Sequence, residues 1–146
     1  MHSATKKSRY KGIKGKYWDW FSDYVRMRDF LEFGTCISCS KKIEAWDKGT
    51  NAGHFIPAGK CGFGLLFDEE NVHLECIACN GFNEFHLIPY ARNLDIRYSD
   101  GFAKALEERY NNHHFKAQIT KEWGKKEYET KLEELKQLVQ ELAEKL

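Results

Sequence analysis

The fold is decided by residues 36–80, which read CISCSKKIEAWDKGTNAGHFIPAGKCGFGLLFDEENVHLECIACN. A Cys-x-x-Cys turn stands at each end of this stretch, Cys36 with Cys39 and Cys76 with Cys79. Each turn brings two thiolates close to one metal, and two turns complete the tetrahedral shell of four thiolates that Zn²⁺ prefers in structural sites. We therefore predict a structural zinc ion bound by these four cysteines.

Disulfides or free thiols are the alternative use of these cysteines. Residues 1–17 are basic and lack an apolar core, so they do not have the pattern of a signal peptide. No apolar run approaches the roughly 20 residues that a membrane-spanning helix needs. We expect a cytoplasmic protein, in which a reducing environment disfavours disulfides. The fifth cysteine, Cys61, is expected to be a buried thiol without a role.

The chain between the two turns is long enough for a β-hairpin. Residues 40–75 are 36 residues, whereas a simple zinc ribbon needs roughly 15–20. We predict strands at residues 52–56 and 72–75, a glycine-rich loop at 58–64, and a helix from Asn80 that ends before Pro89. The expected fold class is α+β: a small ββα core with a four-cysteine zinc site, flanked by helices, plus a C-terminal amphipathic helix.

The flanking segments give an arm and further helices. Residues 1–16 hold six bases and no acid, which indicates a flexible solvated arm or an arm that lies along phosphates. Residues 17–33 have helical periodicity and stop at Gly34, and residues 90–110 look helical in two pieces broken near 99–101. The candidate phosphate contacts are Lys6, Lys7, Arg9, Lys11, Lys14, Lys16, Lys60 and Arg92.

The C-terminal segment, residues 116–146, carries an a/d heptad stripe. Its apolar positions are spaced 4, 3, 4, 3 and 4 residues apart, at Tyr128, Leu132, Leu135, Val139, Leu142 and Leu146. The stripe covers fewer than three heptads, which is short for an independent coiled coil. It predicts either a helix packed on its own domain or a homodimer seam, and the segment could also serve as a protein-interaction module.

Three polar residues inside the zinc-bound stretch suit phosphodiester hydrolysis. A neutral imidazole at His54 can take a proton from water near pH 7. Asn71 begins the second strand, so its side-chain carbonyl could accept a hydrogen bond from that imidazole and set the tautomer. Asn80 follows a zinc ligand directly, and its carbonyl oxygen suits a catalytic Mg²⁺ or Mn²⁺ ion.

The chain resembles the zinc-bound HNH (ββα-metal) endonucleases, and most closely the phage NinG (Rap) recombination proteins. The residues that carry the resemblance lie at 21–29, 36–39, 52–55, 67–73, 76–80 and 89–90, within residues 17–110. The resemblance implies a nuclease domain at residues 17–115 that cuts branched DNA such as D-loops and Holliday junctions. It implies His54 as general base, Asn71 as its orienting partner, Asn80 as a metal ligand and the four cysteines on zinc. A recombinase partner and a location in the host cell cytoplasm would follow.

One position departs from the HNH pattern. Many members carry an acidic metal ligand just before the catalytic histidine, where this chain has Gly53. Glu84, one helical turn after Asn80, and His73, two residues from Asn71 on the same side of its strand, are the candidate replacement Mg²⁺ ligands. The alternative function is a non-catalytic zinc-finger DNA-binding protein in recombination, which would need none of His54, Asn71 and Asn80.

Overall fold

A two-stranded antiparallel sheet lies between helices in the computed structural model, which describes residues 8–111 and 116–146. Strand β1, Thr50–His54, pairs with β2, Val72–Cys76, so that Thr50 faces Cys76 and His54 faces Val72. The helices are α1 Gly12–Glu32, α2 Phe63–Leu66, α3 Leu87–Arg97, α4 Phe102–Asn111, α5 Lys116–Ile119 and α6 Lys125–Ala143, with a π-helical turn at Ala78–Phe82. The predicted mixture of helices with a small sheet is confirmed. None of the described helices combines the length and apolar character that crossing a bilayer requires.

The first helix begins earlier than predicted, at Gly12 instead of residue 17. The Ser8 hydroxyl donates to the Gly15 carbonyl over 3.0 Å, and a Cβ on Gly15 would lie 2.0 Å from the Tyr10 carbonyl oxygen. Tyr10 also packs against the buried cluster that contains Leu66, so Tyr10 and the residues from Gly12 onward belong to the folded part and not to a separate arm. Residues 1–7 lie outside the described part. The predicted stop is confirmed, because Gly34 has a φ of 69° and bonds back to the Asp29 carbonyl over 3.0 Å.

A buried ion pair attaches α1 to the sheet. The Asp29 carboxylate accepts a hydrogen bond from the Leu74 backbone N–H over 2.8 Å and another from Arg28 Nε over 2.7 Å. Arg28 Nη2 also donates to the Val72 carbonyl over 2.8 Å. Because both charged groups are paired and hydrogen-bonded, their burial is compensated, and β2 is held in a fixed position on α1.

The heptad stripe of α6 packs on α1 of the same chain. Tyr128, Leu132, Leu135 and Val139 are buried, the first three with Tyr17 of α1 and the last with Met27. The structure thus has the internal packing that the sequence left open as one alternative. A second copy could not use these side chains without displacing α1, and self-association stays a prediction.

The chain after β2 differs from the prediction in two places. The helix predicted from Asn80 is instead a π-helical turn that ends at Phe82, and Pro89 lies in the first turn of α3. Proline is tolerated there because its missing N–H would have no intrahelical partner. The predicted break near residues 99–101 is confirmed between α3 and α4, where Gly101 has a φ of 87°. The turn predicted at residues 111–114 falls mostly outside the described residues.

The glycine-rich loop between the strands allows a close backbone approach. A Cβ on Gly62 would lie 2.4 Å from the Ala117 carbonyl oxygen, and one on Gly64 would lie 2.6 Å from Ala117 Cα. Helix α5 therefore lies directly on this loop. The loop includes the start of α2, whose carbonyl groups contribute to the site described below.

Candidate functional site

The four cysteines of the Cys-x-x-Cys turns form one cluster. Their sulfur atoms all lie within 4.8 Å of one another, and the Cys39 and Cys76 sulfurs are 3.9 Å apart. A tetrahedral Zn²⁺ with Zn–S bonds of about 2.3 Å requires S–S distances of roughly 3.8 Å. The donor set and its spacing fit a structural zinc ion, as the sequence predicted.

The two turns connect the cysteine cluster to the end of β2 and to the π-helical turn. The Cys36 N–H bonds the Lys41 carbonyl over 2.9 Å, and the chain reverses through Ser40, which has a φ of 63°. Cys76 is the last residue of β2, and its N–H points at the Cys36 sulfur over 3.3 Å. Cys79 lies on the π-helical turn. Metal binding would therefore fix Asn80, the residue that follows Cys79, relative to the sheet.

His54 ends β1 and is buried with a defined tautomer. Its Nε2 lies 2.8 Å from the Leu66 carbonyl oxygen of α2. A carbonyl oxygen can only accept, so Nε2 carries the hydrogen and Nδ1 carries the lone pair. The Trp18 ring stacks on the imidazole with centroids 5.4 Å apart and an angle of 21° between the planes. These two contacts fix the ring and leave Nδ1 as its basic nitrogen.

Burial lowers the pKa of His54 from 6.5 to about 4. The desolvation of the charged imidazolium is the main cause, the hydrogen bond to Leu66 opposes it, and the positive charge of Arg9 adds to it. The imidazole is therefore neutral at neutral pH, which is the state that a general base requires.

Asn71 does not bond His54, so the prediction of a direct contact is wrong. Its Oδ1 accepts from the Ile56 N–H over 2.8 Å, and its Nδ2 donates to the carbonyls of Ile56 and Leu65 over 3.1 Å each. With both amide hydrogens used, Asn71 connects the end of β1 to α2. It acts on His54 through the backbone, because the Leu65 carbonyl that it binds precedes the Leu66 carbonyl that holds the imidazole.

Asn80 is exposed on the π-helical turn and faces Gly53. A Cβ on Gly53 would lie 3.2 Å from Asn80 Oδ1. Asn80 and His54 line one cleft of about 240 Å³, together with Arg9, Ala52, Pro57, Ala58, Gly59 and His86. The structure thus brings the predicted base and the predicted metal ligand to one cavity.

A carboxylate that the sequence analysis missed lies beside Asn80. Glu75 of β2 is fully buried, and a Cβ on Gly53 would lie 2.1 Å from its Oε1. Its Oε2 accepts hydrogen bonds of 2.5 Å from Ser38 Oγ and from His86 Nδ1. Burial raises the pKa of Glu75, and its two hydrogen bonds oppose the shift. The only sequence signal was an acid inside the otherwise apolar end of β2.

The two ligands predicted to replace an acid at position 53 lie in other settings. His73 is buried, and its Nδ1 lies 3.1 Å from Tyr90 Oη, which itself donates to the Gly53 carbonyl. With the hydroxyl hydrogen used in that way, Nδ1 is the donor to Tyr90 Oη. Burial lowers the pKa of His73 to about 3, so it is a neutral core histidine. Glu84 is exposed in a turn beyond the end of the π-helical turn, so the helical spacing from Asn80 on which its prediction relied does not exist.

Part of the predicted basic set surrounds the cleft. Arg9 lines it and lies 5.7 Å from the Trp18 ring centroid. A neighbouring depression that shares Ala58 and Gly59 with the cleft is lined by Lys14 and Lys60. The other described candidates are exposed on helices or their ends, and Lys6 and Lys7 lie outside the described residues; the exposed ones are Lys11, Lys16 and Arg92.

Large apolar side chains are exposed just after Asn80. Phe82 is 84% exposed, Phe85 is 64% exposed and Ile88 is 63% exposed. Apolar groups clustered on a surface in this way are typical of a contact with a partner molecule. The sequence analysis did not single them out.

Comparison with known proteins finds one family. The model described as Bacteriophage Lambda NinG protein matches residues 2–140. Protein ninG of Escherichia phage lambda is 32% identical over 102 residues, which cover 69% of this chain and 47% of that protein. Protein ninG of Salmonella phage P22 is also 32% identical, and that of Escherichia phage 933W 31%, each over 102 residues that cover 69% of this chain and 47% and 48% of the respective relative. The chain spans about half the length of these relatives, and no solved structure matches it.

Proposed function

We propose that this chain, which belongs to the bacteriophage lambda NinG family, is a metal-dependent DNA endonuclease with an HNH (ββα-metal) core. The observation that carries the proposal is one cleft lined by the Nδ1-basic imidazole of His54 and by the Asn80 amide. The four-cysteine cluster joins the end of β2 to the turn that bears Asn80, and the order of strand, strand and helical turn supports the proposal of an HNH core.

His54 supplies the base. Its Nε2–H is bonded to the Leu66 carbonyl, so Nδ1 can take the proton of a water molecule that attacks phosphorus. The resulting imidazolium is stabilised by the carbonyl on its other nitrogen. Asn71 is a positioning residue, since it bonds the carbonyl next to the one that holds His54.

The Asn80 carbonyl oxygen would hold the catalytic cation. When bound, Mg²⁺ or Mn²⁺ supplies positive charge to the scissile phosphate and the departing 3′ oxygen. Asn80 is suited to hold it because hard cations prefer oxygen ligands and because the adjacent Cys79 fixes its backbone.

The surroundings of the cleft support DNA as substrate, and branched DNA in particular. Arg9, Lys14 and Lys60 place positive charge at or next to the cleft, where it can contact phosphates. Phe82 and Phe85, which follow Asn80 in the chain, offer exposed aromatic faces. Unpaired bases stack on such faces, and the displaced single strand of a D-loop offers them whereas an intact duplex does not.

Cleavage of labelled DNA tests the proposal. A four-way junction, a D-loop and a linear duplex are incubated with zinc-loaded protein and with Mg²⁺, Mn²⁺ or neither ion. We expect cation-dependent cuts, with branched substrates cut faster than the duplex. Asn80→Ala should lose cleavage while retaining zinc, and Asn83→Ala, an exposed asparagine in the neighbouring turn, should cleave like the wild type.

Binding without cleavage is the outcome that would contradict the nuclease. If the wild type binds all three substrates and cuts none with either ion, the protein is instead a zinc-containing DNA-binding protein. If it neither binds nor cuts them, the assignment to DNA is wrong as well.

A further inference from the structure

We propose that Glu75 is the carboxylate ligand of the divalent cation in this cleft, taking the place of the acid that is absent at Gly53. The inference rests on the proposed function, because it assigns a ligand to the same catalytic cation. Glu75 takes over this role from His73 and Glu84, the two candidates that the sequence suggested.

The first observation is a carboxylate oxygen without a partner. Glu75 has 0% of its side chain exposed, and Oε1 has no hydrogen-bond partner among the described residues. A buried polar atom without a partner is costly, and a charged one more so. A cation that binds Oε1 would remove that cost.

The second observation is the position of this oxygen at Gly53. The point where a side chain at residue 53 would begin lies 2.1 Å from Glu75 Oε1 and 3.2 Å from Asn80 Oδ1. Any side chain there would displace the carboxylate. Glycine at residue 53 therefore lets an acid from the neighbouring strand reach the place that an acid at residue 53 would otherwise occupy.

The sheet register explains how Glu75 reaches this place. Gly53 pairs with His73, and Glu75 lies two residues further along β2, on the same face of the sheet. Glu75 also immediately precedes the zinc ligand Cys76, as Asn80 immediately follows Cys79. The zinc cluster therefore fixes the backbone of both oxygen ligands.

The other carboxylate oxygen is held by two donors. Ser38, inside the first Cys-x-x-Cys turn, and His86, on the wall of the cleft, both bond Oε2 at 2.5 Å. These bonds fix the plane of the carboxylate and leave Oε1 free for a cation. Hydrogen bonds that orient a ligating carboxylate in this way are a general feature of metal sites. Two oxygen ligands, with water or phosphate oxygens completing the shell, suit Mg²⁺ or Mn²⁺.

Direct measurement of Mn²⁺ binding tests the assignment without turnover. Zinc-loaded protein is titrated with Mn²⁺ in the absence of DNA, and free Mn²⁺ is followed by electron paramagnetic resonance. Glu75→Gln keeps the shape and an oxygen acceptor but loses the charge, and we expect its affinity to fall about 10-fold or more. Glu70→Gln, a control at an exposed acid in the turn before β2, should bind like the wild type.

Moving the acid from residue 75 to residue 53 provides a gain-of-binding test. Glu75→Ala should lose the Mn²⁺ site, and adding Gly53→Asp to that variant should restore binding, because an aspartate then fills the space that the glutamate has left. Zinc content and circular dichroism establish that each variant is folded. Mn²⁺ binding by Glu75→Gln equal to that of the wild type would overturn the assignment, as would a wild type that binds no Mn²⁺ in the millimolar range.

The outcomes separate this inference from the nuclease proposal. If DNA is cut by the wild type and equally by Glu75→Gln, the nuclease stands and Glu75 is not the ligand. If Glu75→Gln loses Mn²⁺ but the wild type cuts no DNA, the cation site stands and the nuclease proposal fails.

Discussion

Replacing Asn71 by alanine should destabilise the protein, because Asn71 joins the end of β1 to α2. The side chain is fully buried and makes hydrogen bonds to the Ile56 N–H, the Ile56 carbonyl and the Leu65 carbonyl. Asn71→Ala removes all of these bonds and leaves backbone groups buried without partners. Each such group costs about 1–3 kcal/mol, so we expect a loss of about 3–5 kcal/mol in the free energy of unfolding.

Chemical denaturation at a fixed excess of Zn²⁺ measures this loss. Asn93→Ala is the matched control, because Asn93 is half-buried and its main hydrogen bond is a single one, from Nδ2 to the Ile37 carbonyl over 2.7 Å. We expect that control to lose about 1 kcal/mol. A second readout is the pKa of His54, which should fall further below its ordinary value in Asn71→Ala as the Leu66 carbonyl loosens, because the hydrogen bond to that carbonyl opposes the lowering. A loss below about 1 kcal/mol for Asn71→Ala would show that its three hydrogen bonds do not hold β1 and α2 together.

The remaining predictions concern pH, zinc, the C-terminal helix and DNA. The folded-state pKa of His54 is about 4 and its unfolded value about 6.5, so the unfolded state takes up the proton first as pH falls, and stability is lost between those values. Between about pH 7 and pH 5 the wild type should lose about 2 kcal/mol more than His54→Ala in denaturant titrations, and equal losses would contradict the burial of His54. Removal of zinc by a chelator should abolish the native circular dichroism spectrum, since metal binding at such sites is coupled to folding; an unchanged spectrum after confirmed metal loss would show that zinc is dispensable. Leu135→Lys should destabilise a monomer by about 3 kcal/mol or more, because it buries a charge against α1. The control Leu138→Lys, at an exposed position, should change stability by less than about 0.5 kcal/mol. Equal effects of the two substitutions would argue against the α1–α6 packing. Phe82→Ala should weaken binding to a D-loop, whose displaced strand offers unpaired bases, by about 1–3 kcal/mol in an equilibrium titration and leave duplex binding unchanged, and equal weakening of both would exclude base stacking.

The parts of the site that the sequence predicted are those that depend on local spacing. The two Cys-x-x-Cys turns form a cluster because each pair is only three residues apart. Asn80 lies beside the cysteine cluster because it is bonded directly to Cys79. His54 was placed correctly in a strand, although the strand predicted over residues 52–56 in fact spans Thr50–His54.

The parts that the sequence could not predict depend on the path of the chain between these points. The partners of Asn71 are backbone groups of Ile56 and Leu65, and their positions follow from how residues 55–66 fold. Glu75 meets Gly53 only through the register of the two strands, and a single acid in an apolar strand does not reveal that register.

Both ends of the chain show tertiary packing overriding a local pattern. Gly12 and Gly15 have low helix propensity, yet α1 includes them, and Ile13 between them packs against the cluster that α1 forms with α6. The heptad stripe was compatible with a dimer seam or with internal packing, since both bury the same face of a helix. Only the position of α1 decides between the two for the described residues.

The most direct test of the central claim is the single-turnover rate of cleavage of a labelled four-way junction by the wild type and by His54→Ala, at equal zinc content and saturating Mg²⁺. We predict that the wild type cuts the junction and that His54→Ala is slower by about 100-fold or more at equal DNA affinity, as expected for the loss of a general base. Equal rates for the two proteins, or no cleavage by the wild type, would contradict it.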